Sequence, residues 1–164
     1  MLNSFGVMIK IKRCKPKHIQ DVQELINQNF GYGYAELKCL IGPGVTSFVA
    51  LFKQKVVGFC SAVEKEDYTL LDMIVVHFNF RKKGVGRRLF KKRLTDLKTS
   101  TEIRINHWIR KHYPQPFCAK DFGFTLEKTT ENKWFKIGRK QEFNCLECLK
   151  QLCVCNCAIY KKIS

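Results

Sequence analysis

The stretch Leu71 to Phe90, LDMIVVHFNFRKKGVGRRLF, limits this chain more than any other, because a single local structure accounts for all of it. It opens on a nearly continuous apolar run, as a central strand covered on both faces must. From Gly84 to about Lys98 the apolar residues recur at helical spacing, with Val85, Leu89, Leu94 and Leu97 read as inward. Between the two, Gly84 and Gly86 allow a tight turn and let backbone amides approach a ligand with no Cβ in the way. A helix starting there points its first N–H groups and its partial positive charge into the same space. Strand, glycine turn and helix start together form a cradle for a diphosphate. Lys82, Lys83, Arg87 and Arg88 add charge for a further phosphate. The turn lacks the third glycine of a dinucleotide fingerprint and the Gly-Lys-Ser/Thr ending of a P-loop, so both of those readings lose support.

The remainder of the 164 residues supplies a sheet around this unit. Met8 to Arg13 alternates apolar and basic residues, the period of a half-buried strand. Pro16 suits a first helical turn, and Ile19, Val22, Leu25 and Ile26 form one stripe to about Asn29. A glycine-rich region follows, with a short helix expected around Ala35 to Leu40. Thr46–Phe52 and Lys55–Glu64 read as a hairpin across Lys53-Gln54, and Tyr68–His77 as the central strand. Later strands are expected at Glu102–Ile109, Phe124–Glu127, Lys133–Ile137 and Leu152–Ile163, with a short helix from Pro114 to Asp121. Strands in hairpins followed by β-α-β specify one α/β (α+β) domain over residues 1–164, a mixed sheet with helices on both faces.

Charge and cysteine usage narrow the partners. The net charge is +16, and Arg81 to Lys98 carries nine basic residues against Asp96, half of that excess. Such a balance favours anionic ligands. No run approaches the roughly 20 apolar residues that span a bilayer. Nor is there an apolar segment ahead of a small-residue cleavage site, so the expected compartment is the cytoplasm, with no membrane partner. Nine cysteines there are not expected to form a disulfide framework.

The segment Arg81-Lys82-Lys83-Gly84-Val85-Gly86 matches the R/Q-x-x-G-x-G/A signature, and the chain resembles the GNAT superfamily of N-acetyltransferases. Ile74-Val75-Val76-His77 looks like the strand end that holds pantetheine, Phe80 stands where an aromatic often precedes the signature Arg, and PQPFCAKDFGF (Pro114 to Phe124) looks like the family's second motif. The resemblance implies a central, mostly antiparallel sheet of six to seven strands that splays at a bulge. It also implies acetyl-CoA as cosubstrate. Ile74, Val75 and Val76 would pair with the pantetheine arm, and the diphosphate would lie on Arg81, Lys82, Lys83, Gly84, Val85, Gly86 and Arg87. An amine would then attack the thioester directly, with no covalent enzyme intermediate.

Direct aminolysis needs a base for the amine and often an acid for the thiolate. The family's acid is commonly a Tyr four residues before the glycine of the second motif, and here that residue is Ala119. Cys118 and Tyr113 are the nearest substitutes. For the base, His107 occupies the strand position where some relatives carry Glu, and His112 a position where Asn is frequent. A histidine suits proton transfer near neutral pH, although on a strand it also simply packs. Glu64 and Asp72, read as lying near strand ends, are the other candidates, against the plainer reading of solvated carboxylates.

Two features lie outside the resemblance. Cys145, Cys148, Cys153, Cys155 and Cys157 crowd the C-terminus. A hairpin over 145–157 would bring Cys145 and Cys148 to the face holding Cys153 and Cys155, four thiolates for zinc. The alternative is a set of small apolar residues at a sheet edge. Lys91, Lys92, Arg93 and Lys98 read as a solvated helix face rather than an RNA-binding stripe, for want of interleaved aromatics. The sequence therefore points to an acetyl-CoA-dependent N-acyltransferase acting on a primary amine as a monomer or homodimer. The alternative is a GNAT-like module that holds acyl-CoA, or docks RNA or protein, with little turnover. The acceptor would be read by the variable region around Phe30 to Pro43.

Overall fold

A computed structural model of the protein describes residues 8–97, 102–109, 119–131, 146 and 155–163. Seven strands form one sheet in the order β1-β2-β3-β4-β5-β7-β6. They are β1 (Lys10–Arg13), β2 (Val45–Phe52), β3 (Lys55–Glu64), β4 (Tyr68–Val76), β5 (Glu102–Ile109), β6 (Thr125–Thr130) and β7 (Asn156–Lys162). Every neighbouring pair is antiparallel except β4 and β5, which run parallel. Helices α1 (Ile19–Phe30) and α2 (Val85–Thr95) cover opposite faces.

Each face is made by alternation. Val49, Leu51 and Phe59 turn toward Val22, Leu25 and Ile26 of α1. Phe48, Ala50 and Cys60 turn toward Val85 and Leu89 of α2. A third cluster, under the far half of α2, joins Phe90 to Ala62, Leu71, Ile103, Ile105 and Phe124. Gly58 sets the closeness of α2 to the sheet, since a Cβ there would lie 2.9 Å from Leu89 Cδ1 and 3.3 Å from the Val75 carbonyl oxygen.

Most expected elements lie where the sequence puts them, and several details differ. The helix around Ala35 is one 3-10 turn, Ala35–Leu37, and of Pro114–Asp121 only the 3-10 turn Ala119–Phe122 is described. The strand expected over Phe124–Glu127 runs Thr125–Thr130, while Lys133–Ile137 lies outside the described residues. Arg93, expected on the solvated face of α2, is buried at 1% exposure. No helix among the described residues is long and apolar enough to cross a membrane.

Candidate active site at the open end of the sheet

Strand β4 changes phase part-way along. Ser61 pairs with Met73 and Val63 with Leu70, so Leu71 and Asp72 together oppose Ala62 alone. This is a bulge, with two residues set against one. Its effect is visible in the core. Leu71 packs in the α2-side cluster, whereas Met73 and Val75, two and four residues on, pack in the α1-side cluster. Without the bulge, those three would share one face.

A bulge also bends and twists its strand. The pairing of β4 with β5 runs from Tyr68 with Glu102 to Leu71 with Ile105 and stops there. Beyond it β5 stays with β7 as far as Ile109, while β4 continues alone on that side to Val76. The two parallel strands thus diverge into a wedge whose vertex is Asp72. The edge of Ile74, Val75 and Val76 lines its β4 side.

The wedge opens toward the glycine turn. Lys82 (φ 56°) and Gly84 (φ 75°) both adopt left-handed backbone. This lets the chain reverse into α2 with Gly84 as its N-cap. The first backward helical bond runs from Arg88 N–H to the Gly84 carbonyl at 3.0 Å. The N–H groups of Val85, Gly86 and Arg87 precede it and have no intrahelical acceptor. A Cβ on Gly86 would meet only Val76 Cγ2, at an ordinary 3.7 Å, and one on Gly84 would meet nothing within 4 Å. The protein's own packing therefore has room for side chains at both positions. That bare concave backbone suits an anion that approaches it closely.

Charged residues surround this turn. Lys82, Lys83, Arg87 and Arg88 are exposed. Arg81 Nε donates to the Val76 carbonyl at 3.1 Å, and its Nη2 donates to Asn29 Oδ1 at the end of α1. Arg87 pairs with Asp121 at 3.1 Å, and Arg88 Nη2 donates to the Ile9 carbonyl at 2.9 Å.

On the α1 side of the wedge, Asp72 Oδ1 lies 2.9 Å from Lys38 Nζ, with both side chains largely covered. Burial alone would lower the Lys38 pKa, but Tyr34 and Asp72 outweigh it and hold the ammonium above its ordinary value. The rings of Phe30, Tyr34 and Trp108 stack beside this pair, with centroids 5.0 to 6.2 Å apart. Phe30, Tyr34 and Lys38 all come from the region expected to read an acceptor.

The three candidate bases are not gathered. Asp72 stands at the wedge vertex, inside its strand rather than near an end. His107 lies on the α2 face of β5, in line with Ile105 and 6.5 Å ring to ring from Tyr160. Glu64 pairs with Thr69 at the closed end of β4, seven residues and about 23 Å of strand from Val76. Ala119, at the family's tyrosine position, is buried among Leu71, Phe90 and Phe124. Cys118, Tyr113 and His112 lie outside the described residues, as do Cys145, Cys148 and Cys153. Cys155 and Cys157 are buried, and no group of three metal-ligating side chains occurs among the described residues, so zinc gains no support.

Sequence reading missed Arg93 and Lys38. Arg93 follows Val85 and Leu89 at steps of four, so its place in the buried stripe was open to inspection. Lys38 left no local signal, since its partner lies 34 residues away.

The family model of the GNAT acetyltransferase domain matches residues 43–125, from the start of β2 through the wedge and glycine turn to β6. The chain belongs to the GNAT acetyltransferase family. No curated protein matches it by sequence. Among solved structures, the ribosomal-protein-S18-alanine N-acetyltransferase of Escherichia coli superposes with TM-score 0.73 at 14% identity, over 96% of this chain and 95% of that one. Arabidopsis thaliana NAA60, solved with a bisubstrate analogue, gives 0.71 at 11%, over 96% and 99%. A GNAT family acetyltransferase from Elizabethkingia anophelis with acetyl-CoA bound gives 0.67 at 13%, over 95% and 98%. At these identities the likeness is one of fold, and this GNAT chain spans the whole of it.

Proposed function

We propose that this GNAT protein transfers an acetyl group from acetyl-CoA to a primary amine within a ternary complex. The observation that carries the reading is the wedge between β4 and β5, ending at a bare, positively charged glycine turn. The amides from Lys82 to Arg87, with the Lys82 and Lys83 side chains, bind the diphosphate. Arg81 braces the turn against Val76 and Asn29, and the edge of Ile74, Val75 and Val76 receives the pantetheine. The thioester then lies near the wedge vertex, with the acceptor entering from the Phe30, Tyr34 and Trp108 side. The amine nitrogen forms a bond to the acyl carbon as the C–S bond breaks. The amine gives up a proton to a base, and the departing thiolate takes one. His107 and Asp72 are the candidate bases, and the distance of Glu64 from the turn weighs against it.

A second reading has a specific observation in its favour. With Ala119 in the core, the family's usual acid is missing, and a GNAT domain that holds acyl-CoA with little turnover would need none. Thiol release from acetyl-CoA over a broad panel of amines separates the two. Amine-dependent release supports the transferase. Tight acetyl-CoA binding with no release on any amine supports the binding module. Absence of acetyl-CoA binding removes both.

A further inference from the structure

Arg93 is the largest fully buried side chain among the described residues. It has no carboxylate within ion-pair distance among them, and its Nε has no hydrogen-bond partner there either. Among the described residues its charge is met by the Phe90 ring at 5.0 Å and by Asp72 beyond ion-pair distance. Burying a guanidinium on those terms is costly, and apolar replacements of buried charges are often neutral or stabilising. Packing of α2 alone does not explain an arginine here.

The two bonds it does make explain more. Nη1 donates at 2.7 Å to the Ser61 carbonyl and at 2.7 Å to the Met73 carbonyl. Ser61 and Met73 are the paired residues that close the bulge at its wedge side. Their carbonyls are thus satisfied by a side chain from α2 at the place where the β3–β4 register slips. A buried carbonyl there without a donor would favour regular pairing instead. Regular pairing would carry Met73 and Val75 to the opposite face and remove the bend at which β4 leaves β5.

We infer that Arg93 is a positioning residue for the acyl carrier: it pins the Leu71–Asp72 bulge from the helix side, and so holds Ile74, Val75 and Val76 in the phase and direction that open the wedge. The inference rests on the acetyl-CoA reading above. It assigns Arg93 no contact with the carrier or the acceptor.

The test compares the full-length protein with Arg93→Met, Arg93→Gln and Arg93→Lys by calorimetric titration of acetyl-CoA and by thermal unfolding. Arg93→Met is expected to melt no lower than the parent yet to bind acetyl-CoA about tenfold more weakly, the weight of one hydrogen bond from a charged donor. Arg93→Lys, which keeps a cationic donor, should recover part of that loss. Should Arg93→Met fail to fold, Arg93→Gln keeps a neutral donor for one carbonyl and is read in the same way. Unchanged acetyl-CoA affinity in a folded Met or Gln variant overturns the inference and leaves the acetyl-CoA reading standing. A parent protein that does not bind acetyl-CoA fails the reading itself, and the inference with it.

Discussion

Lys38 Nζ and Asp72 Oδ1 meet at 2.9 Å, where β4 leaves β5, joining the segment after α1 to the vertex of the wedge. Replacing Asp72 with Asn leaves a largely covered ammonium without its anion. Urea unfolding at neutral pH should show a loss of about 1–3 kcal/mol. The pH dependence has a definite sign. The Lys38 pKa is raised in the folded protein, so the stabilisation is full below the ordinary value of 10.5 and fades as pH climbs through the raised value. The gap between parent and Asp72→Asn should therefore hold at neutral pH and narrow only in strong alkali. A gap that closes already near pH 8 would contradict this pairing.

Gly84 and Gly86 should respond differently to alanine. At Gly84, with φ 75°, the cost is backbone strain of about 1–2 kcal/mol, visible as a lower melting temperature. Gly86 lies within α2, and its new methyl group meets only Val76 Cγ2 at 3.7 Å. Gly86→Ala should thus be neutral, or stabilising by about 0.5–1 kcal/mol. Yet it should weaken acetyl-CoA binding, because the methyl group fills the cradle. Gly84→Trp should also reduce that affinity in calorimetry. Undiminished binding in both Gly86→Ala and Gly84→Trp would remove the glycine turn from the site.

Gly58→Ala tests how closely α2 is seated. The added methyl would lie 2.9 Å from Leu89 Cδ1, which has some freedom to move, and 3.3 Å from the Val75 carbonyl, which has little. Overpacking of this kind costs about 1–3 kcal/mol. Chemical denaturation should report it, together with weaker acetyl-CoA binding, since Val75 belongs to the wedge edge.

Cys60 is fully buried and donates to the Leu89 carbonyl at 3.5 Å. Burial, only partly offset by the Arg93 charge, pushes its pKa up to about 11. The thiolate is the reactive form, so Cys60 should resist a disulfide reagent at pH 8 until the protein unfolds. Exposed Cys39 should react promptly. Mass spectrometry of the labelled peptides distinguishes them, and fast labelling of Cys60 in the native protein would contradict this packing.

Much of this protein was legible in the chain of residues, because the informative signals are local. A β-rich run next to a turn marked β3 to the residue, the bounds of β5 were read to the residue as well, and period 3.6 marked α1 and α2. The glycine turn announced itself through residues lacking a Cβ beside a cluster of cations. Together with the strand end before it and the Pro114 to Phe124 segment after it, that turn carried the resemblance to the GNAT family, since a diphosphate is gripped mainly by backbone and charge. Tertiary structure decided what depends on partners distant in sequence. The change of phase in β4 is not specified by a nearly continuous apolar run, whose apolar residues fit either register. Which carbonyls Arg93 reaches, those of Ser61 and Met73, depends on how α2 lies against strands 20 and 32 residues away. The meeting of Asp72 with Lys38, and the separation of Asp72 from His107 across the sheet, likewise follow from the bulge. Local preference sets where strands and helices form, but the register between strands is a property of the assembled sheet, and that register is what opens the wedge.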